Sequence, residues 1–333
     1  MSTPTPTSCE QLLRGPYTSL QGLIANQREA RAIVLKPRRK ATRQLAGGHQ
    51  SRLKGRGMEF EDVRGYQPGD DVRNIDWRVT ARTTVAHTRT FTEERERPVL
   101  ICCDQRATMF FGSRVRFKSV QAANIASLLA WAALKRKDRV GGLLLGASET
   151  SEFKPRSGHR SVLTLLAGLN QLNHQLQRET SPGGLALSEA ITELRRIGKT
   201  GSTIFLLSDF YDLDQRCLQQ LYELSRHNSV TAIAVYDPLE RELPPAGIYS
   251  ISGYPDAART EQGHGEGAAM MQLNTGDQRA REHFARQAQH AAQQRRDELG
   301  RLGIALLEVS TAERATDALA RLFQRAGGGR AIA

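Results

Sequence analysis

No two of the four cysteines, Cys9, Cys102, Cys103 and Cys217, stand at CxxC spacing, and none has a histidine near it at finger spacing. That leaves no zinc motif and no disulfide framework, as expected in a reducing compartment. Long apolar runs are missing too: the longest nearly apolar stretch, 122–134, is shorter than the ~20 residues a membrane span needs. The opening residues, MSTPTPTSCEQLLRGPY, show no basic segment followed by an apolar one, so no secretory leader is expected. Together these absences predict a cytoplasmic protein with no membrane insertion.

Acidic residues vanish between Glu29 and Glu59, where Arg31, Lys36, Arg38, Arg39, Lys40, Arg43, Arg52, Lys54 and Arg56 all fall. Much of the net charge of +12, from 47 Lys and Arg against 35 Asp and Glu, is therefore local. A basic arm over 31–56 suits nucleic acid, an anionic surface or an acidic partner. No aromatic residue interleaves with these charges as a stacking platform, so nucleic acid is not the expected partner, and the arm reads first as a solvated lead-in.

Enzymatic motifs are also missing. Gly198-Lys-Thr200 resembles part of a phosphate loop, but Glu193 stands where its first glycine belongs and a strand, not a helix, follows. No serine nucleophile elbow or HExxH pair is present, and His159 and His227 read as surface or capping histidines. Paired carboxylates keep a metal-dependent hydrolase as a minor reading.

With 39% hydrophobic and 25% charged residues, the chain has the composition of a globular protein. From Pro98 onward short apolar runs alternate with helical stretches. Strands are expected at Val99–Cys103, Arg139–Leu145, Thr203–Ser208, Val230–Tyr236 and Gly303–Val309. Helices are expected over Lys118–Lys135, within Ser161–Ile197, over Gln215–Arg226 and Gln278–Gly300, and last near Gly327. Continuously apolar strands separated by helices predict an α/β fold with a doubly wound, mostly parallel sheet.

Before that region lies a dense run from Gly65 to Arg82. Pro68-Gly69 signals a turn, after which Asp70, Asp71, Arg73, Asp76 and Arg82 alternate in sign around Val72, Ile75 and Trp77. This spacing predicts three apolar side chains buried on one side and a charged brace on the other. In an open α/β sheet, ligands collect beyond the carboxyl ends of the strands. Asp104 and Asp209 follow apolar strands directly and, with Thr108 and Ser208, offer oxygen ligands for a hard cation such as Mg²⁺.

The run Met58-Glu-Phe-Glu-Asp-Val-Arg-Gly-Tyr66-Gln-Pro68-Gly69-Asp70-Asp71-Val-Arg73-Asn-Ile-Asp76-Trp77-Arg-Val-Thr-Ala-Arg82 closely resembles the signature of the bacterial family called domain of unknown function 58. The resemblance continues through Phe91–Arg95, Asp138–Gly141, Leu207–Phe210, His227, Tyr236–Pro244 and Val309–Thr311. It implies a von Willebrand factor A-like domain in a non-enzymatic partner of MoxR-type AAA+ ATPases, and divides the chain into a basic lead-in (1–57), a signature segment (58–97), the von Willebrand factor A-like domain (98–327) and a tail (328–333).

Such domains hold a metal-ion-dependent adhesion site on an Asp-x-Ser-x-Ser loop, a later strand-end acid and a hydroxyl from a loop between. Asp104-Gln-Arg-Ala-Thr108 resembles the first element, Asp209 the second, and Thr180 or Ser181 approximates the third. Arg106 replaces the middle serine, and a guanidinium repels a metal ion. The departure suggests that Arg106 stands in for the cation, pairing with Asp104 and Asp209.

Overall fold

The computed structural model of the protein describes residues 9–35, 58–67, 72–83, 85–93, 98–176, 185–253 and 269–325. The chain divides into two compact units, one of residues 1–40 with 97–333 and the other of 41–96.

The larger unit begins with α1 (Cys9–Leu12) and α2 (Leu20–Glu29). The smaller one holds β1 (Met58–Gly65), α3 (Trp77–Thr83) and β2 (His87–Glu93). The chain then re-enters the larger unit with β3 (Val99–Asp104), α4 (Lys118–Lys135), β4 (Val140–Leu145), β5 (Thr150–Arg156), α5 (His159–Gln175) and α6 (Leu187–Ile197). There follow β6 (Thr203–Ser208), α7 (Gln215–His227), β7 (Ser229–Tyr236), β8 (Ile248–Gly253), β9 (Ala269–Asn274), α8 (Gln278–Arg301), β10 (Ala305–Ser310) and α9 (Ala315–Arg325).

A six-stranded sheet in the order β10-β7-β6-β3-β4-β5 forms the larger unit's centre. All its pairings are parallel except that of β4 with β5. This is the expected doubly wound, mostly parallel α/β fold. The uninterrupted apolar runs follow from helices on both faces: Val99, Ile101 and Cys103 join one core, Leu100 and Cys102 the other. The first core is completed from α2, α4, α5 and α9, the second from α6, α7 and α8. Strand β5 was not expected. It carries Pro155 and lies at the sheet edge, where a missing N–H is tolerated.

Helix α4 is buried from Lys118 through Ala133, because α2 covers the side turned away from the sheet. Leu13 and Leu23 are fully buried. Asn26 donates to the Asn124 carboxamide oxygen at 2.7 Å and the Ser127 hydroxyl at 2.6 Å, and Trp131 donates its indole N–H to the Leu23 carbonyl at 3.0 Å. Within the 1–57 segment, residues 9–35 therefore help complete the core. The basic arm beyond Leu35, through residue 57, lies outside the described residues.

In the smaller unit β1 and β2 form an antiparallel pair with an irregularity between Phe60 and Asp62. Asp76 caps α3, accepting from the backbone N–H groups of Arg78 at 3.0 Å and Val79 at 3.2 Å. This overturns the expected burial: Val72 is 60% and Trp77 70% exposed, while Asp76 is buried. Alternating charge predicts one apolar face, but Asp76 begins a helix that turns Trp77 outward. Tyr66 is half-buried, with its N–H on the Ala86 carbonyl, and Arg73 and Arg82 lie at the surface. Pro68, Gly69, Asp70 and Asp71 lie outside the described residues.

Candidate functional site

Strands β3 and β6 are neighbours whose following helices go to opposite faces of the sheet, α4 to one and α7 to the other. Their carboxyl ends bracket the point where the winding reverses. Asp104 leaves β3 and Ser208 closes β6, and the Ser208 hydroxyl donates to Asp104 Oδ2 at 2.6 Å. Asp104 Oδ1 accepts from the Arg106 backbone N–H at 2.9 Å and from Arg106 Nε at 3.0 Å, and Oδ2 also accepts from Arg106 Nη2 at 2.8 Å. The carboxylate thus carries four hydrogen bonds, two on each oxygen.

The other side of the guanidinium faces Asp212, with Nη1 to Oδ2 at 2.7 Å and Nη2 to Oδ1 at 3.0 Å, and Nη1 also donates to the Leu185 carbonyl at 3.1 Å. These bonds employ all five N–H donors of a residue that is 9% exposed. Burial alone disfavours the charge, but Asp212 and Asp104 outweigh it and hold the arginine's pKa above its ordinary value. Asp212 in turn accepts from the Leu187 N–H, the first of α6, at 2.9 Å. Arg106 therefore ties the β3 loop, the β6 loop and the start of α6 together.

Arg106 pairs with Asp104 as expected, but its second carboxylate is Asp212 and not Asp209. Asp209 is held by Lys118, the first residue of α4, whose ammonium donates to Asp209 Oδ2 at 2.8 Å and to Glu240 Oε1 at 2.6 Å. Lys118 is 2% exposed. Its burial favours the neutral amine, yet Asp209 and Glu240 prevail and raise its pKa. Burial likewise opposes the Asp209 charge, and Lys118 more than offsets it, leaving that carboxyl below its ordinary range. Between the two acids Phe210 adopts φ +54 with its ring buried, a backbone state uncommon for an aromatic residue. The turn sends Tyr211 outward at 74% exposure.

A third strand-end acid, Asp237 after β7, was not singled out from sequence. It accepts from the Ser113 N–H and hydroxyl at 2.9 and 2.5 Å, the Thr311 hydroxyl at 2.6 Å and the Leu239 N–H at 3.0 Å. Burial raises its pKa less than these donors, led by Ser113, lower it. The signal was available, since Asp237 follows an apolar strand as Asp104 and Asp209 do. Lys118 had a fainter one: a cation at a helix N-terminus opposes the helix dipole unless acids hold it there. Asp212 had none, because it lies four residues past the strand.

These residues do not fit a divalent cation. Both oxygens of Asp104 are filled, Asp209 is spent on Lys118 and the Tyr211 N–H, and a guanidinium lies between Asp104 and Asp212. Thr108 Oγ1 is buried with no hydrogen-bond partner. Among the described residues no three His, Cys, Asp or Glu side chains gather to hold a metal. Thr180 and Ser181 lie outside the described residues.

The model of the family described as "Protein of unknown function DUF58" matches residues 62–295. The chain belongs to the DUF58 family. DUF58 relatives include Uncharacterized protein Rv1480 from Mycobacterium tuberculosis and Uncharacterized protein Mb1516 from Mycobacterium bovis, each 30% identical over 237 residues, 70% of this chain and 73% of the relative. Among solved structures, BatB from Bacteroides thetaiotaomicron is 13% identical with a TM-score of 0.40, covering 69% of this chain and 98% of its own. The SpRpn10 VWA domain is 10% identical with a TM-score of 0.30, covering 68% and 94%. A von Willebrand factor type A from Catenulispora acidiphila is 14% identical with a TM-score of 0.33, covering 46% and 35%. The fold of this DUF58 chain rests on its strand order. Among its described residues no helix is long and apolar enough to cross a membrane.

Proposed function

We propose that this DUF58 chain is a non-enzymatic, cytoplasmic interaction module of the von Willebrand factor A-like kind, docking a MoxR-type AAA+ ATPase through its strand-end face. The observation that carries this reading is Tyr211, a strongly exposed aromatic on a loop fixed on both sides by ion pairs to the buried cations Arg106 and Lys118. An aromatic held in place costs little ordering on association and makes an effective anchor. Phe111, also exposed, leaves the adjacent strand end on the β3–α4 loop. The family resemblance supplies the ATPase.

A hydrolytic role is disfavoured by the same geometry. Asp104, Asp209 and Asp212 serve as ion-pair partners of Arg106 and Lys118, and a general base needs an oxygen free to take a proton. The test is affinity of the full chain for the MoxR-type ATPase of the same organism, compared with Tyr211→Ala. Docking at this face gives at least tenfold weaker binding for the variant. Equal affinity refutes the face, and no binding by either protein refutes the partner.

A second reading, a nucleic-acid or anionic-surface binder, rests on the acid-free run from Arg31 to Arg56. It requires affinity for DNA or anionic vesicles that falls steeply with salt.

A further inference from the structure

We infer that Arg106 and Lys118 together take the place of a divalent cation at the junction of β3 and β6, making the strand-end face independent of metal. The sequence suggested one substitute cation, whereas the geometry assigns two. Four carboxylates flank this junction in two pairs: Asp104 and Asp212 on Arg106, Asp209 and Glu240 on Lys118. Two fixed single charges supply the charge of one divalent ion, divided between two halves of the site.

The Arg106 half is closed by valence as well as by charge, and the Lys118 half by charge. Every Arg106 N–H is used, and both Asp104 oxygens accept twice. An entering ion would have to displace the guanidinium and strip Ser208 from Asp104. Lys118 Nζ lies within hydrogen-bond distance of Asp209, and Asp209 Oδ1 is already an acceptor for the Tyr211 N–H. Cations this deeply buried persist only when paired, and each of these has two acidic partners.

The position of Lys118 strengthens the assignment. The first turn of α4 repels a cation through the helix dipole, so the lysine gains from that site only what Asp209 and Glu240 give it. Tethered cations also cannot exchange. A bound metal leaves when it is chelated, whereas Arg106 keeps the β3 loop, the β6 loop and the start of α6 joined in any ionic medium. This inference does not depend on the ATPase reading, because it concerns the site alone.

The test uses Mn²⁺ as the probe. Titrating the full chain with Mn²⁺ by electron paramagnetic resonance is expected to show no ion bound at the site, and EDTA is expected to leave the melting temperature unchanged. One Mn²⁺ per chain, lost in Asp104→Asn, would overturn the inference. The double variant Arg106→Ser with Lys118→Ser is expected to gain Mn²⁺ binding and an EDTA-reversible rise in melting temperature. If it does not fold, Lys118→Ser alone, which keeps the Arg106 staple, is expected to show the same reversible rise. A folded variant that ignores Mn²⁺ counts against the substitution.

Discussion

Lys118 and Asp209 stand 91 positions apart in the chain, yet their charged groups meet at 2.8 Å inside the protein, at the junction of two neighbouring parallel strands. The pair joins the start of α4 to the end of β6, and Glu240 extends it toward β7.

Replacing Lys118 by Met leaves Asp209 buried without its cation, and at neutral pH this is expected to cost about 3–5 kcal/mol. The deficit should shrink between pH 8 and pH 5. Without Lys118, burial pushes the Asp209 pKa upward, and protonation then relieves the uncompensated charge. Urea unfolding at the two pH values checks both the size and the sign.

The wild-type chain should show different limits. Asp209, Asp212 and Asp237 all lie below the ordinary carboxyl value of 3.8, so their contribution is present above that value and lost as pH falls through the lower folded values. Lys118 lies above 10.5, so its contribution is present below that value and lost as pH rises through the folded one. These groups therefore predict an unfolding free energy flat from about pH 5 to 9, with losses outside that window. A pH series of urea midpoints reads it directly.

Arg106→Lys keeps the charge but cannot make the paired N–H contacts with Asp104 and Asp212 at once. A loss of about 2–3 kcal/mol is expected from the unmade charge-assisted bonds, with Arg106→Ala losing more. Hydrogen exchange should locate the loosening at 185–187 and 209–212, the segments that Arg106 joins.

Leu23→Ala tests whether the N-terminal helix belongs to the core. Leu23 is fully buried beside α4, so the substitution is expected to cost about 2–5 kcal/mol. A cost near zero would contradict that packing.

The sheet was legible because five of its strands are apolar runs of strand length, and helices such as Lys118–Lys135 carry strong period and composition. Strand β5 was not, since Thr150–Arg156 is polar and interrupted by Pro155. Asp104 and Arg106 were legible as a pair because a single residue separates them. Asp212 and Lys118 were not, because which loop folds back onto the guanidinium, and which helix start reaches Asp209, is decided by packing across the sheet. Trp77 misled because alternating charge fits both a strand face and a capped helix, and Asp76 decides between them only once its carboxylate is seen on the N–H groups of Arg78 and Val79.

Thiol labelling offers a check on the core. Cys102, Cys103 and Cys217 are buried, and burial pushes Cys103 and Cys217 up to about 12 and Cys102 well above the ordinary thiol value. Mass spectrometry after iodoacetamide at pH 8 should find these three unmodified in the native chain and all modified in urea.

The most direct test of the proposed role is the affinity between the full chain and the nucleotide-free MoxR-type ATPase of the same organism, measured in Mg²⁺ and again in EDTA, for wild type and Tyr211→Ala. The account predicts equal wild-type affinity in both media and at least tenfold weaker binding by the variant. No association in either medium, or association that Tyr211→Ala leaves unchanged, would contradict it.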